Sequence, residues 1–416
     1  MDLVSAQEEF QEAASADLTA VDVDAHDNLA DARKELREAI SAHLVAVGVG
    51  ASADSPLQPP VLPKQTVRAM HCEARRDGLR KDADFIRRRI DLLESALVDG
   101  RRLDAEAIEP VLVEVMPGTQ ESELFRLATK LWSVPVSSGF GRRIRFLVWD
   151  RHHDGLIGVF AVGDPVFNLS SRDKWIGWNV EDRRERLVHV MDAFVVGALP
   201  PYSQLIGGKL VASLAASDDV RRVYDRKYCG RMSVIRQVER RAPLALLTTT
   251  SALGRSSLYN RLRVPDGPEF LHLGATKGYG HFHFSDRVFQ MMRAYLGEMG
   301  HPYASGNRFG DGPNWRLRVA RVALREVGLD ERAVLNHGVP REVYAAPLAS
   351  NWRQVLLGEQ ADTDCFAWPS DVVAESCLKR WVVPRASRDE SYRAFRPNVV
   401  CERLLEDVED AQASRD

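Results

Sequence analysis

Two stretches of this chain run from apolar and β-branched residues through a glycine turn into helix-forming residues. The first, AFVVGALPPYSQLIGGKLVASL (193–214), carries Gly207 and Gly208. The second, LALLTTTSALGRSSLYNRL (244–262), carries Gly254, Arg255 and Ser256. A helix starts with unpaired N–H groups and a partial positive charge, so such turns can bind anions, phosphates above all. Glycine lets the backbone approach a ligand closely, and Ser256 is placed to cap the helix expected after the second turn. The same turns also serve as plain connections in α/β folds, so both roles stand. Neither matches G-x-x-x-x-G-K-S/T or G-x-G-x-x-G, which disfavours NTP hydrolysis and dinucleotide binding. The absence of a G-x-S-x-G elbow disfavours a hydrolase, and the lone cysteines have no marked catalytic setting.

Other residues admit two readings each. The segment RRVYDRKYCGRMSVIRQVERR (221–241) has eight Lys/Arg against two Asp/Glu, with Tyr224 and Tyr228 among them. Arg221, Arg222, Arg226, Lys227, Arg231, Arg236, Arg240 and Arg241 would neutralise phosphates and the tyrosines would stack on bases. Otherwise the segment is a solvated helix face or a hairpin. Asp173, Trp175 and Trp178 either wall an acceptor pocket or cap the core. Asp164, at the end of a strand, either orients an amine and takes its proton or caps a turn. His281 and His283 alternate, and with His272 or Asp286 would form a ligand set. An H-x-H pair in a strand is a weak signal, so no metal is expected. His152 and His153 fall in a hairpin turn and are expected in solvent.

Residues 204–209, Gln-Leu-Ile-Gly-Gly-Lys, resemble the Q/R-x-x-G-x-G/A loop of GCN5-related N-acetyltransferases, and SSLYNRLRV (256–264) resembles a later helix of that fold. The resemblance covers roughly 140–290. It implies a mixed-sheet core and a loop, with Gln204, Gly207, Gly208 and Lys209, that holds the phosphates of acyl-CoA. It also implies that Tyr259 is a general acid. Lys209 departs from the pattern, which expects Gly or Ala there. A cation at that position would suit a different phosphate-bearing acyl donor. A longer resemblance runs from about 66 to 400. LIGVFAVGDPVFNLSSRDKWIGWN (156–179), MDAFVVGALPPYSQLIGGKLVASLAAS (191–217), LLTTTSALGRSSLYNRL (246–262) and HGVPREVYAAPLASNWRQVLLG (337–358) are similar to the A-protein family of Druantia anti-phage systems. That resemblance implies a role in bacterial defence beside other defence proteins and leaves the reaction open.

The elements that must position these residues follow from pattern. RRIRFLVWD (142–150) and LIGVFAVGD (156–164) flank Asp-Gly turn chemistry and predict an antiparallel hairpin. Strands are also expected within 186–199 and 243–253, with two more short ones within 269–286. Helices are expected over 25–47, 66–101, 208–217, 254–263, 287–299 and 315–328. The fold class is therefore α/β or α+β. Its expected parts are an acidic arm and linker (1–65), a helical region (66–140), an acetyltransferase-like core (141–300) and a mostly helical C-terminal part (301–416). The 416 residues carry a net charge of −3, so no whole-chain attraction to a polyanion exists. Five cysteines without a CxxC fit a reducing cytoplasm, and no run of 18 apolar residues predicts a membrane span.

Three functional classes fit these readings. One is a defence component that binds DNA, RNA or partner proteins on an acetyltransferase-like core that has lost catalysis. The second is an active acyl or aminoacyl transferase, and the third a structural subunit of a complex.

Overall fold

A computed structural model describes residues 28–46, 64–136, 141–232, 239–240, 242–281, 283–305 and 315–413. The chain forms two compact units: Met1–Pro60 with Tyr279–Gly338, and Val61–Gly278 with Val339–Asp416. The linker expected before residue 65 lies mostly outside the described residues.

The chain opens with helix α1 (residues 28–46), then α2 (Lys64–Met70) and α3 (Cys72–Ala96). Strand β1 (Pro110–Glu114) and α4 (Gln120–Lys130) precede a hairpin of β2 (Arg143–Asp150) and β3 (Gly155–Gly163). Helices α5 (Ser170–Ile176) and α6 (Val180–Arg186) lead to β4 (Val190–Ala198). Next come α7 (Gly207–Leu214), α8 (Asp218–Tyr228), the short β5 (Arg231–Met232) and β6 (Glu239–Arg240), then β7 (Leu246–Thr250) and β8 (Leu271–Ala275). Helices α9 (Asp286–Glu298), α10 (Trp315–Glu326) and α11 (Glu331–Leu335) follow, and then β9 (Glu342–Pro347) and α12 (Trp352–Leu357). The chain ends in α13 (Ser370–Cys377), a π-helical turn (Leu378–Val382), α14 (Val383–Ala386) and α15 (Pro397–Ala413).

The larger unit is built on a seven-stranded sheet of order β1-β2-β3-β4-β7-β9-β8. Every adjacent pair is antiparallel except β4 and β7, which are parallel. A parallel pair needs a crossover, and α7 and α8 supply it. One hydrophobic cluster joins Phe146, Phe160, Met191, Leu247 and Tyr344 to Leu210, Leu214 and Tyr224 of α7 and α8. Another joins Leu147, Val159 and Val195 to Leu79, Ile86 and Leu127 of α3 and α4 and to Leu404 and Val408 of α15. β3 is buried along its whole length, which is why GLIGVFAVG reads as a continuous apolar run.

The structure revises the expected boundaries. β1 and β9 lie outside the span 141–300, yet both belong to the sheet. The stretch 254–263 is a series of turns instead of a helix, and the region 269–286 contributes one strand, β8. Residues 172–178, expected as a loop, mostly form α5.

The smaller unit is helical. Arg37 of α1 donates to Val327 O at the end of α10 (3.3 Å), and His43 approaches His283 O within 2.8 Å. His281 and His283 therefore sit in irregular chain before α9, not on a strand. His283 is buried and its imidazole is pushed down to about 3, first by burial and then by His43 and His281. Among the described residues no group of three or more His, Cys, Asp or Glu is placed to hold a metal.

Candidate functional site

The parallel ladder between β4 and β7 covers three residue pairs, Val190–Leu246, Met191–Leu247 and Asp192–Thr248. Past that point side chains, not backbone, bridge the strands: the Thr249 hydroxyl donates to Ala193 O at 2.8 Å. The two strands part there, and four polar side chains line the parting. Thr248 Oγ1 donates to Asp192 Oδ1 at 2.8 Å. Thr249 Oγ1 bonds the Tyr259 hydroxyl at 3.3 Å. Tyr259 is buried, its ring against Phe270 and Tyr344 at centroid distances of 5.5 and 5.4 Å. Its Oη is reached from a turn capped as the sequence suggests, with Ser256 Oγ accepting from the N–H groups of Leu258 and Tyr259 at 3.1 Å. Glu342 Oε2 accepts from Ser256 N (2.8 Å) and Tyr344 Oη (2.6 Å), tying that turn to β9.

Burial pushes the Asp192 carboxyl up to about 6, against the opposing Thr248 bond and the Arg172 charge. Burial also raises the Tyr259 hydroxyl, and the Asp192 charge adds to that. A stability consequence follows. The unfolded Asp192 ionises near 3.8 and the folded one near 6, so between these values the unfolded chain has released a proton the native chain keeps. This group's contribution therefore falls as pH rises through that window. Asp192→Asn should flatten that part of the slope, read as the difference between wild-type and variant urea midpoints from pH 4 to 7. An unchanged slope would place Asp192 in water.

The first glycine turn lies beside this site. Ile206 adopts left-handed φ of 61°, and α7 starts at once with Gly207. A Cβ on Gly207 would lie 2.6 Å from Tyr202 O, and one on Gly208 2.9 Å from Leu258 Cδ1. Glycine is needed at 207 because backbone passes that closely, whereas at 208 only the mobile end of Leu258 is near. Lys209 Nζ donates to Asn260 O at 3.3 Å, so the turns 204–209 and 254–260 meet. Gln204 is exposed at the rim, its carbonyl accepting from Arg385 Nε at 3.4 Å. Gly254 takes left-handed φ of 73° and Arg255 is exposed.

Other candidates are drawn away from this place. Asp164 accepts from Arg142 N (2.9 Å) and Arg142 Nε (2.6 Å), so it closes the end of β3. The carboxylate beside Tyr259 is Asp192, missed because one Asp in an apolar strand resembles an edge residue. Asp173 is buried and accepts from Arg172 Nη2 (2.7 Å), Arg183 Nη1 (2.8 Å) and Leu169 N (3.3 Å). Trp178 is 7% exposed, with its indole N–H on Leu356 O at 2.7 Å. Trp175 stacks on Trp352 at 4.3 Å. These three build the core near α5 and α12 instead of walling a pocket.

The basic segment is part helix, part hairpin. Arg221 pairs with Asp218 (3.0 Å), Arg222 with Asp219 (2.8 Å), and both Arg226 and Lys227 with Glu114. Tyr224 is buried under Arg142, and the Tyr228 hydroxyl donates to Arg143 O (2.9 Å). The tyrosines are thus committed to packing and do not present faces to bases. Arg231 and Arg240 lie on paired β5 and β6. Arg236 and Arg241 lie outside the described residues.

These features define a mixed α/β protein whose sheet parts between two parallel strands beside a glycine turn. Residues 62–358 match the family model described as Druantia protein DruA. A curated relative, Druantia protein DruA of Escherichia coli (strain UMEA 4076-1), is 44% identical over 342 residues, covering 82% of this chain and 84% of the relative. The chain belongs to the Druantia protein DruA family. No solved structure matches it.

Proposed function

We propose that this chain is an acyltransferase-type component of Druantia defence, with a phosphate-bearing thioester such as acyl-CoA held on the Gly207–Gly208 turn. As a DruA family member it is a component of a Druantia anti-phage system. One observation carries the mechanistic reading. The sheet order β1-β2-β3-β4-β7-β9-β8, with one parallel pair that parts beside a glycine turn and a buried tyrosine, is the arrangement expected of a GCN5-related acetyltransferase core.

The residues present suit such a donor. The turn admits no side chain at Gly207, and Lys209 has no carboxylate partner among the described residues. The thioester supplies an activated carbonyl. Asp192, ionised above about pH 6, takes a proton from the attacking amine. As the N–C bond forms and the C–S bond breaks, the Tyr259 hydroxyl gives its proton to the leaving sulfur. Solvent then carries the proton from Asp192 back to Tyr259. Thr248 and Thr249 hold the two reacting oxygens at 2.8 and 3.3 Å from their own hydroxyls.

The test is basal hydrolysis of acetyl-CoA by the full chain, followed as thiol release. Release that saturates with donor and vanishes in Asp192→Asn is expected. A rate equal to buffer would overturn the active reading.

A second reading keeps the fold for binding alone. The bridge from Lys209 to Asn260 favours it, because it crosses between the two turns. Arg222 and Arg226 of α8 then matter, because their guanidiniums are exposed and surface ion pairs are worth only about 0–1 kcal/mol. Its mark is DNA or RNA binding that weakens steeply with salt. Other defence proteins are the partners expected under either reading. Among the described residues no helix is long and apolar enough to cross a membrane.

A further inference from the structure

The C-terminal helices bring a second cation to the glycine turn. α13 packs on α7, and the π-helical turn Leu378–Val382 follows it directly. A π turn widens the helix and re-aims the side chains within it, a device frequent at functional sites. Here it presents Trp381 and Arg380 to Lys209. Lys209 Nζ lies 5.3 Å and Arg380 Cζ 5.4 Å from the centroid of the same Trp381 ring. Neither cation has a carboxylate partner among the described residues. Two like charges on one indole repel, and burial followed by the Arg380 charge holds Lys209 below its ordinary value. By contrast, the cations of α8 and α15's neighbour Arg75 are all matched by carboxylates. An unmatched pair of this kind attracts an anion, and a charge-assisted contact to both cations would relieve their repulsion.

Resting on the acyltransferase reading, we infer that Lys209, Arg380 and Trp381 form a phosphomonoester subsite that selects a 3′-phosphorylated nucleotide thioester over its dephosphorylated form. Lys209 and Arg380 bracket the dianion while Trp381 fixes the spacing between them. Arg385, which donates to Gln204 O (3.4 Å) and pairs with Asp389 (2.5 Å), holds this segment against the turn. Arg380 and Trp381 fall outside the matched residues 62–358, so the subsite would be an addition from the tail of the chain.

The experiment is calorimetric titration of the full chain with CoA and with 3′-dephospho-CoA. Wild type should prefer CoA by about tenfold, the equivalent of one charge-assisted contact. Arg380→Gln should erase that preference while leaving dephospho-CoA affinity near wild type, whereas Lys209→Gln, which also alters the donor loop, should weaken both probes and still lose the preference. Equal affinity of wild type for both probes, or an unaltered preference in Arg380→Gln, would overturn the subsite and leave the donor turn standing. If wild type binds neither probe, the acyltransferase reading falls and the subsite with it. Circular dichroism melts confirm that the variants fold; Arg380 is exposed, so little change is expected.

Discussion

Tyr259→Phe should lower thioester turnover by about 10²–10⁴-fold, the range general acid catalysis supplies, and leave donor affinity nearly intact. The substitution removes one hydroxyl and keeps the ring that packs on Phe270 and Tyr344. Thr249 loses one bond partner but still donates to Ala193 O, so the parting of β4 and β7 should persist. A rise in KM with unchanged kcat would assign Tyr259 to binding. Wild-type turnover in the variant would remove it from the mechanism, as the binding-only reading requires. The pH profile supplies an independent check: the rate should rise through an ionisation near 6 that belongs to Asp192.

Asp150→Ala should cost about 3–5 kcal/mol of stability, as expected when a buried, fully hydrogen-bonded acceptor is deleted. Asp150 is 0% exposed at the end of β2. It accepts from Tyr202 Oη (2.8 Å), His153 Nδ1 (2.6 Å), Glu109 N (3.0 Å) and His152 N (3.1 Å). His153, expected in solvent, therefore has a side chain only 6% exposed. Deleting the carboxylate strands these donors, including the hydroxyl of buried Tyr202. Because Tyr202 O is the atom against which Gly207 packs, the damage should also reach the donor turn. The urea midpoint measures the first effect and CoA affinity the second. A loss under 1 kcal/mol would show that water replaces the carboxylate.

The hairpin β2–β3, strands β4 and β7 and the turn at 207 are legible in the chain because each is a local pattern. Alternation or apolar runs bounded by Gly and Asp need no distant partner to be read. β1 and β9 are not legible for the opposite reason. PVLVE lies between helical stretches, and EVYAAP carries two alanines that look helical until β7 and β8 flank it. Pairing across the chain decides both. The same holds for the site. Tyr259 and the glycines stand in recognisable strings, whereas Asp192 becomes notable only when Thr248 arrives from another strand. Asp164 and Asp173 carry the right chemistry in sequence, but Arg142, Arg172 and Arg183 take it up in the fold. Arg380 and Trp381 had no motif to announce them, since their meaning comes from Lys209 in another helix.

The most direct test of the donor site is native mass spectrometry of the full chain purified from cells, followed by denaturation of the same sample. A CoA-type or other acyl-donor mass that leaves when the fold opens is the result expected. A clean apo mass, or a heterogeneous nucleic-acid adduct stripped by salt, would contradict it and leave Tyr259 a packing residue of a binding fold.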